Sequence, residues 1–519
     1  MKHFQDRYLL SMNSISFCIS ACLDGMESRL VKTEISIKKG VPRFNIVGLA
    51  GSAVREAPER VRIAIENSGY FFPLMNILVN LSPAGIRKDS AFLDLAIAAG
   101  ILSRTGQIFG EFDWEKILFL GELGLDGSIR PMKGISNILC SVDPKKFDKI
   151  ILPSDNRYEA GFFQNLNLFP VQKLSGLEDI LSGRQKKYED ISSTVSERVR
   201  PYEISLFNDQ IPAMENLIVS AAGKHHSLFI GSPGCGKTML ARFIPNLLPE
   251  LSTEEFSEIL RIRSVSDNEN ISFFSKERPF RSPHHTASDV SVIGGGKTQK
   301  LGEVTLAHNG VLFLDELGEF KSPLIQALRE PLEDEHVTVS RINYHVTYPA
   351  SFLLVAASNP CPCGYSGSVS RNCICSEIRI QKYLGKFSGP FLDRIDITAE
   401  MYSLEERDRS ISIFPLEETY RRIENAFLIQ TERYRKLGCR FNGSLKGQDI
   451  DKYIIMDNGA EKIFQSLFQK RNLSIRRLQK IKKISRTNAD LDGSENVREE
   501  HVFKALSLTK PFQFPMLAA

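Results

Sequence analysis

No charge of one sign dominates this chain of 519 residues: 66 lysines and arginines face 62 aspartates and glutamates, for a formal +4. So small an excess excludes a protein that meets a polyanion through bulk charge, and any nucleic-acid surface has to be local. No apolar run approaches the roughly 18 to 20 residues that span a bilayer. The opening MKHFQDRYLLSMNSISFC has no charged-then-apolar leader pattern. The expectation is a soluble, cytoplasmic protein with no membrane partner. Internal repeats and low-complexity tracts are missing as well, which argues against a repeat array.

The composition that remains, 42% hydrophobic and 25% charged, is that of an ordinary globular protein. At roughly 100–200 residues per domain the length suggests about three domains. Of the nine cysteines, Cys18, Cys22, Cys140 and Cys439 are scattered and read as buried or free thiols in a reducing compartment. Cys361, Cys363, Cys373 and Cys375 fall within fifteen positions, directly after Asn359. Two C-x-C pairs nine residues apart can fold back so that four thiolates meet around Zn²⁺ at roughly 2.3 Å, although C-x-C is tighter than the commoner C-x₂-C. Four unligated loop thiols are the alternative.

Residues 1–182 alternate β-rich runs such as PRFNIVGL and NILVNLS with helical patterns such as REAPERVRIAIENSG, predicting one α/β domain. Residues 183–201 are polar and aperiodic, a predicted linker. A second α/β block runs over 202–404, with buried-strand candidates HSLFI, VLFLD and SFLLVAAS. Beyond Leu404 the strands are expected to stop, and 405–519 reads as helices.

GSPGCGKT (231–238) has the G-x-x-x-x-G-K-[ST] spacing between an apolar strand and a helical run, the context of a P-loop. Backbone N–H groups of Gly231, Ser232, Pro233-Gly234, Cys235 and Gly236 can curl round the phosphates of ATP, apart from proline, which has none to offer. Lys237 reaches the β and γ oxygens, and Thr238 offers a hydroxyl to Mg²⁺. VLFLDE supplies Asp315 for the metal and Glu316 as a base for water, a pairing suited to hydrolysis. The strand FLLVAAS ends at Asn359, an amide placed to hold water or touch the γ-phosphate; at a strand end Asn is more often only a turn former. Arg394 lies in a polar break and Arg476 opens a basic helix, where most arginines only solubilise.

The order of P-loop, DE strand, Asn strand, DR turn and S-x-R helix resembles an AAA+ ATPase. FRSPHHTAS (280–288), GEVTLAHNGVLFLDEL (302–317), ALREPLED (327–334), SNPCPCGY (358–365) and SGPFLDRID (388–396) resemble the ComM/YifB branch of the magnesium-chelatase-like family. That resemblance covers essentially the whole chain. It implies an α/β fold with a P-loop AAA+ core and a helical lid, Arg394 as a finger reaching a neighbouring subunit's ATP, and Arg476 as the lid sensor. It also implies a ring, most plausibly a hexamer, that works as a DNA helicase promoting branch migration during recombination and transformation. Gly318 and Leu301 depart from prolines, and Ser358 from the methionine, usual in that family. A chelatase-type motor and a protein-remodelling ATPase are the rival readings.

NLSPAGIRKDSAFLDLAIAAGIL (80–102) and GELGLDGSIRPMKGI (121–135) resemble the proteolytic domain of Lon, whose chemistry needs a serine and a lysine. The matching positions hold Phe92 and Ser136, with Ser90 and Lys133 offset, so the dyad is absent and a scaffold is expected. For DNA, Arg341 in a predicted hairpin over 335–352 is the preferred contact. The helix KRNLSIRRLQKIKKISR (470–486) is expected to dock through Ile475, Leu478, Ile481 and Ile484, leaving a wet basic face whose rarer meaning is DNA contact. His284 and His285 read as part of a loop for substrate or subunit contact.

Overall fold

Two long strands open the described chain, β1 (Ser16–Asp24), with Ser20, Ala21 and Cys22 buried in succession, and β2 (Glu27–Lys38), whose alternation buries Val31, Thr33, Ile35 and Ile37 on one face. They form a hairpin with Asp24 opposite Glu27, and Gly25 supplies φ +63° at the turn. These and the elements below belong to a computed structural model that describes residues 16–85, 88, 91–108, 112–189, 195–196, 200–266, 274–296, 300–341, 344–368, 371–387, 389–401, 410–469 and 473–509. The chain divides into two units, one of residues 1–197 with 256–275, the other of 198–255 with 276–519.

In the first unit β3 (Arg43–Val47), β4 (Asn76–Ser82), β5 (Ile117–Phe119), β6 (Lys149–Pro153) and β7 (Leu168–Val171) complete a sheet of order β3-β4-β2-β1-β5-β6-β7. Helix α1 (Asp94–Arg104) is buried from Asp94 to Leu102 and lies on that sheet so closely that a Cβ at Gly100 would come 2.0 Å from Ile35 Cδ1. The segment after the P-loop helix contributes to this unit too: Ser264 accepts from Gly134 N at 2.7 Å through its carbonyl, and Phe256 meets Phe162 edge-on.

The second unit carries β8 (Glu203–Phe207), β9 (Ser227–Gly231), helix α2 (Lys237–Leu247), β10 (Phe280–Arg281), β11 (Val311–Leu314), the hairpin β12 (His336–Arg341) and β13 (Tyr344–Pro349), β14 (Leu353–Ser358) and β15 (Ile397–Met401). Five of these strands form a wholly parallel sheet of order β10-β11-β14-β9-β15. Leu228, Phe229, Leu312, Phe313, Leu354 and Val355 are almost fully buried, as expected of strands covered on both faces.

Two expectations fail here. A strand does follow Leu404: β16 (Ile411–Pro415) pairs antiparallel with β8. Its ISIFP runs exposed and half-buried in turn, with Ile411 and Ile413 largely exposed and Phe414, opposite Ile204, packed against the core, so pairing and one inward ring hold it. The predicted linker also contains structure, since Val195–Ser196 pair with Phe274–Ser275. Helices α3 (Glu417–Arg433) and α4 (Ile475–Leu491) follow, and Ile423, Ala426, Ile481 and Ile484 join the same apolar cluster as Leu217, Phe229 and Ile244.

Candidate active site

Because β9, β11 and β14 are parallel, their carboxyl ends share one edge. The register pairs Ile230 with Ser358 and Leu314 with Ala356, so Gly231, Asp315 and Asn359 emerge together. From Gly231 the chain turns through Gly234 (φ +81°) and Gly236 (φ +94°), left-handed positions that suit glycine, and enters α2 at Lys237. A Cβ at Gly236 would stand 2.4 Å from Gln210 Nε2, which donates to Cys235 O at 3.1 Å. Gln210, buried and distant in sequence from the loop it braces, has no sequence motif to reveal it.

Lys237 is buried, with Nζ 2.7 Å from Gly231 O, 2.9 Å from Ser232 O and 3.2 Å from Asn359 Oδ1. Burial pushes its pKa down, against the pull of Cys235, Asp315 and Glu316. Thr238 Oγ1 donates to Asp315 Oδ2 at 2.8 Å. A hydroxyl and a carboxylate in contact are the hard oxygen donors Mg²⁺ takes. Cys235, 2% exposed, fills space under the loop.

Glu316 has φ +52°, left-handed for a residue with a full side chain. Its Oε2 lies 3.3 Å from His285 Nδ1, and the His285 ring stacks at 4.1 Å on His284. This contact is one the sequence did not reveal: His285 was expected to serve substrate or another subunit.

Arg394 and Arg476 stand elsewhere. They line a cavity of about 300 Å³ with Glu333, Asp393, Lys480 and Lys483, and no P-loop residue lines it. Arg394 Nη2 is hydrogen-bonded to Glu333, Nη1 donates to Pro390 O at 2.5 Å, and Arg476 Nη1 is 3.6 Å from Asp393. The Arg394 hydrogen bond holds the Glu333 carboxyl below the usual range.

The four clustered cysteines converge. Cys361, Cys363 and Cys373 have sulfurs 3.3–3.6 Å apart, and all four ligand atoms lie within 4.8 Å of one another. Four sulfurs about 2.3 Å from one tetrahedral ion would be roughly 3.8 Å apart, so the spacing fits zinc and is far too long for disulfides. Ser366 N points at Cys361 Sγ (3.3 Å) and Cys375 N at Cys373 Sγ (3.4 Å), hydrogen bonds that suit thiolates.

At the Lon-like positions, Ser136 is fully buried and donates to Glu159 Oε1 at 2.6 Å, while Phe92 packs with Leu120 and Ile135 in a satellite core. Lys133 is exposed, and Ser90 lies outside the described residues. Neither position supplies a nucleophile–lysine pair.

The basic helix needs correction. Leu478, Ile481 and Ile484 are buried, but Ile475 is 71% exposed. Part of its basic face is not wet: Lys480 bonds Leu392 O and Ile395 O, Lys483 bonds Gly443 O, and Arg486 is buried on Asp490, whereas Arg476 is exposed. Cations already engaged by carbonyls and a carboxylate are poor phosphate contacts, which removes Lys480, Lys483 and Arg486 from the residues that would meet DNA here. Lys470, Arg471, the side chain of Arg341 and Lys297 fall outside the described residues.

Family models match three stretches: "Magnesium chelatase, subunit ChlI" over 204–409, "Subunit ChlI of Mg-chelatase" over 33–156, and "Magnesium chelatase, subunit ChlI C-terminal" over 416–509. The chain is 36% identical to YifB of Escherichia coli over 496 residues, covering 95% of this chain and 97% of that one. It is 35% identical to the competence protein ComM of Haemophilus influenzae over 507 residues, again 95% and 97% of the two chains. Lon protease 2 of Bacillus subtilis is similar over a smaller part, 24% identical across 37% of this chain and 39% of its own length. With near-complete coverage at this identity, the chain belongs to the ComM/YifB family, a magnesium-chelatase-like branch of the AAA+ ATPase motors.

Proposed function

We propose that the protein is a ring-forming motor that hydrolyses ATP to move on DNA, a helicase promoting branch migration in recombination and transformation. The convergence of Lys237, Thr238, Asp315, Glu316 and Asn359 at one sheet edge carries the hydrolysis. The P-loop from Gly231 to Thr238 would bind the triphosphate, Lys237 exchanging its carbonyl partners for phosphate oxygens. Thr238 and Asp315 would hold Mg²⁺, which when bound neutralises phosphate charge. Glu316 would accept the proton of the attacking water, and Asn359, bonded to Lys237, would orient that water or sense the γ-phosphate.

Arg394 would act across a subunit boundary of a hexamer, and Arg476 as the lid sensor. Both first have to leave the carboxylates they now face, Glu333 and Asp393. Likeness to a competence protein over nearly its whole length supports DNA as the track. The domain scheme follows the same reading: a Lon-like scaffold over 1–182, an AAA+ core over 202–404 and a lid over 405–519.

ATP turnover by purified protein, with and without forked or Holliday-junction DNA, tests this. The expected result is stimulation by DNA that falls steeply with salt. Glu316→Gln should lose about 10²-fold or more in turnover while still binding nucleotide. Hydrolysis indifferent to every DNA would leave the motor and remove its track; stimulation by unfolded polypeptide instead would favour protein remodelling.

A further inference from the structure

The cysteine cluster is not a remote appendage of this unit. Cys361 follows Asn359 by two residues and is fully buried. The turn it opens is closed by Gly364 N donating to Cys361 O at 2.9 Å. Gly364 has φ +87°, and a Cβ there would stand 2.7 Å from Pro233 Cδ and 2.8 Å from Pro233 Cγ. That same Cβ would be 3.9 Å from Asn359 Cγ. The backbone between Cys363 and Tyr365 therefore lies directly on the P-loop, wedged against its proline and beside the amide that bonds Lys237.

Given the two readings that the P-loop takes ATP and the four sulfurs take zinc, we propose that zinc and nucleotide binding are reciprocally coupled through the Gly364–Pro233 contact. Pro233 has no N–H to anchor it, and its ring is held by what packs on it. With the sulfurs gathered on one ion, the turn 361–366 has a single shape, and Gly364 presses Pro233 into place. Without that crosslink the turn gains conformations, and the loop pays their ordering whenever it closes on phosphate. Linkage then requires the converse: nucleotide, by fixing Pro233, holds the turn in its metal-binding form and tightens zinc by the same factor.

The test uses full-length protein. Zinc content is measured by elemental analysis, zinc affinity and release with a chromogenic chelator, and nucleotide affinity with a fluorescent ATP analogue, with circular dichroism as the control for folding. The expected result is one zinc per chain, a nucleotide Kd weakened by about 5- to 50-fold on zinc removal with the fold intact, and a zinc Kd tightened by the same factor with nucleotide bound. Gly364→Ala, which crowds Pro233 and strains the turn while leaving all four sulfurs in place, should weaken nucleotide while zinc content stays at one. A chain that binds zinc and nucleotide independently overturns the coupling and leaves both sites standing. Absence of zinc overturns it by removing the metal reading, and absence of nucleotide binding in the zinc-loaded wild type overturns it together with the proposed ATPase.

Discussion

At Gly318, where the family pattern has proline, a hydrogen in place of a side chain decides what can pack beside the DE strand. A Cβ there would be 2.0 Å from Tyr383 Cζ and 2.1 Å from its hydroxyl oxygen. Tyr383 is buried, and besides the burial that raises its pKa, a hydrogen bond with the Ser358 side chain pulls it back. Ser358 is another departure from the family pattern, and these two are explained together: one opens room for the ring and the other meets its hydroxyl. Gly318→Ala should destabilise the protein by about 1–3 kcal/mol in denaturant unfolding, and Tyr383→Ala in the same chain should recover part of that loss. His285 is a second such position. If its contact keeps Glu316 aimed despite the strained backbone, His285→Ala should lower kcat about tenfold or more with KM for ATP little changed. His285→Asn, which keeps a donor, should restore part of it, and an unaltered kcat in the alanine variant would remove the role.

Among the elements, α3 and α4 are tied by a buried polar network centred on Asp490. Arg433 reaches its Oδ1 at 2.6 Å and Oδ2 at 2.9 Å, Arg486 Nε reaches Oδ1 at 3.1 Å, and Asn442 Nδ2 reaches Oδ2 at 2.9 Å. Asn442 also donates to Thr487 Oγ1, which contacts His225 Nε2 at 2.7 Å, extending the network to the turn before β9. Removing Asp490 leaves two guanidinium groups with buried faces and no counter-charge. Asp490→Ala should therefore cost about 3–5 kcal/mol, read as a lower denaturation midpoint at unchanged m-value.

None of this was legible in the sequence, whereas the P-loop, the DE strand and the Asn strand were, and the reason is physical. Those motifs are local, their geometry fixed by residues adjacent in the chain. Asp490, Gln210 and the His285–Glu316 contact depend on partners brought together only by tertiary packing. The basic helix misled for the same reason: a run of lysines and arginines looks identical whether its charges meet solvent or, like Lys480 and Arg486, meet carbonyls and a carboxylate. Strand β16 was missed because it is only five residues long and its isoleucines, Ile411 and Ile413, face outward, so its apolar residues do not mark a buried face.

For the whole molecule, the discontinuous first unit sets the terms. Residues Phe256–Ser275 are supplied from beyond the P-loop helix yet meet Gly134, Ser136, Cys140 and Phe162 within that unit. A fragment ending at residue 197 leaves those partners open to water. It should unfold at lower denaturant than the same unit in the full chain, or fail to stay soluble; equal stability would show the late segment to be dispensable. During synthesis the consequence is one of timing. The first unit is not complete in sequence until residues 256–275 have been translated, after the loop 231–238. Because the two units interleave along the chain, no single cut separates one from the other.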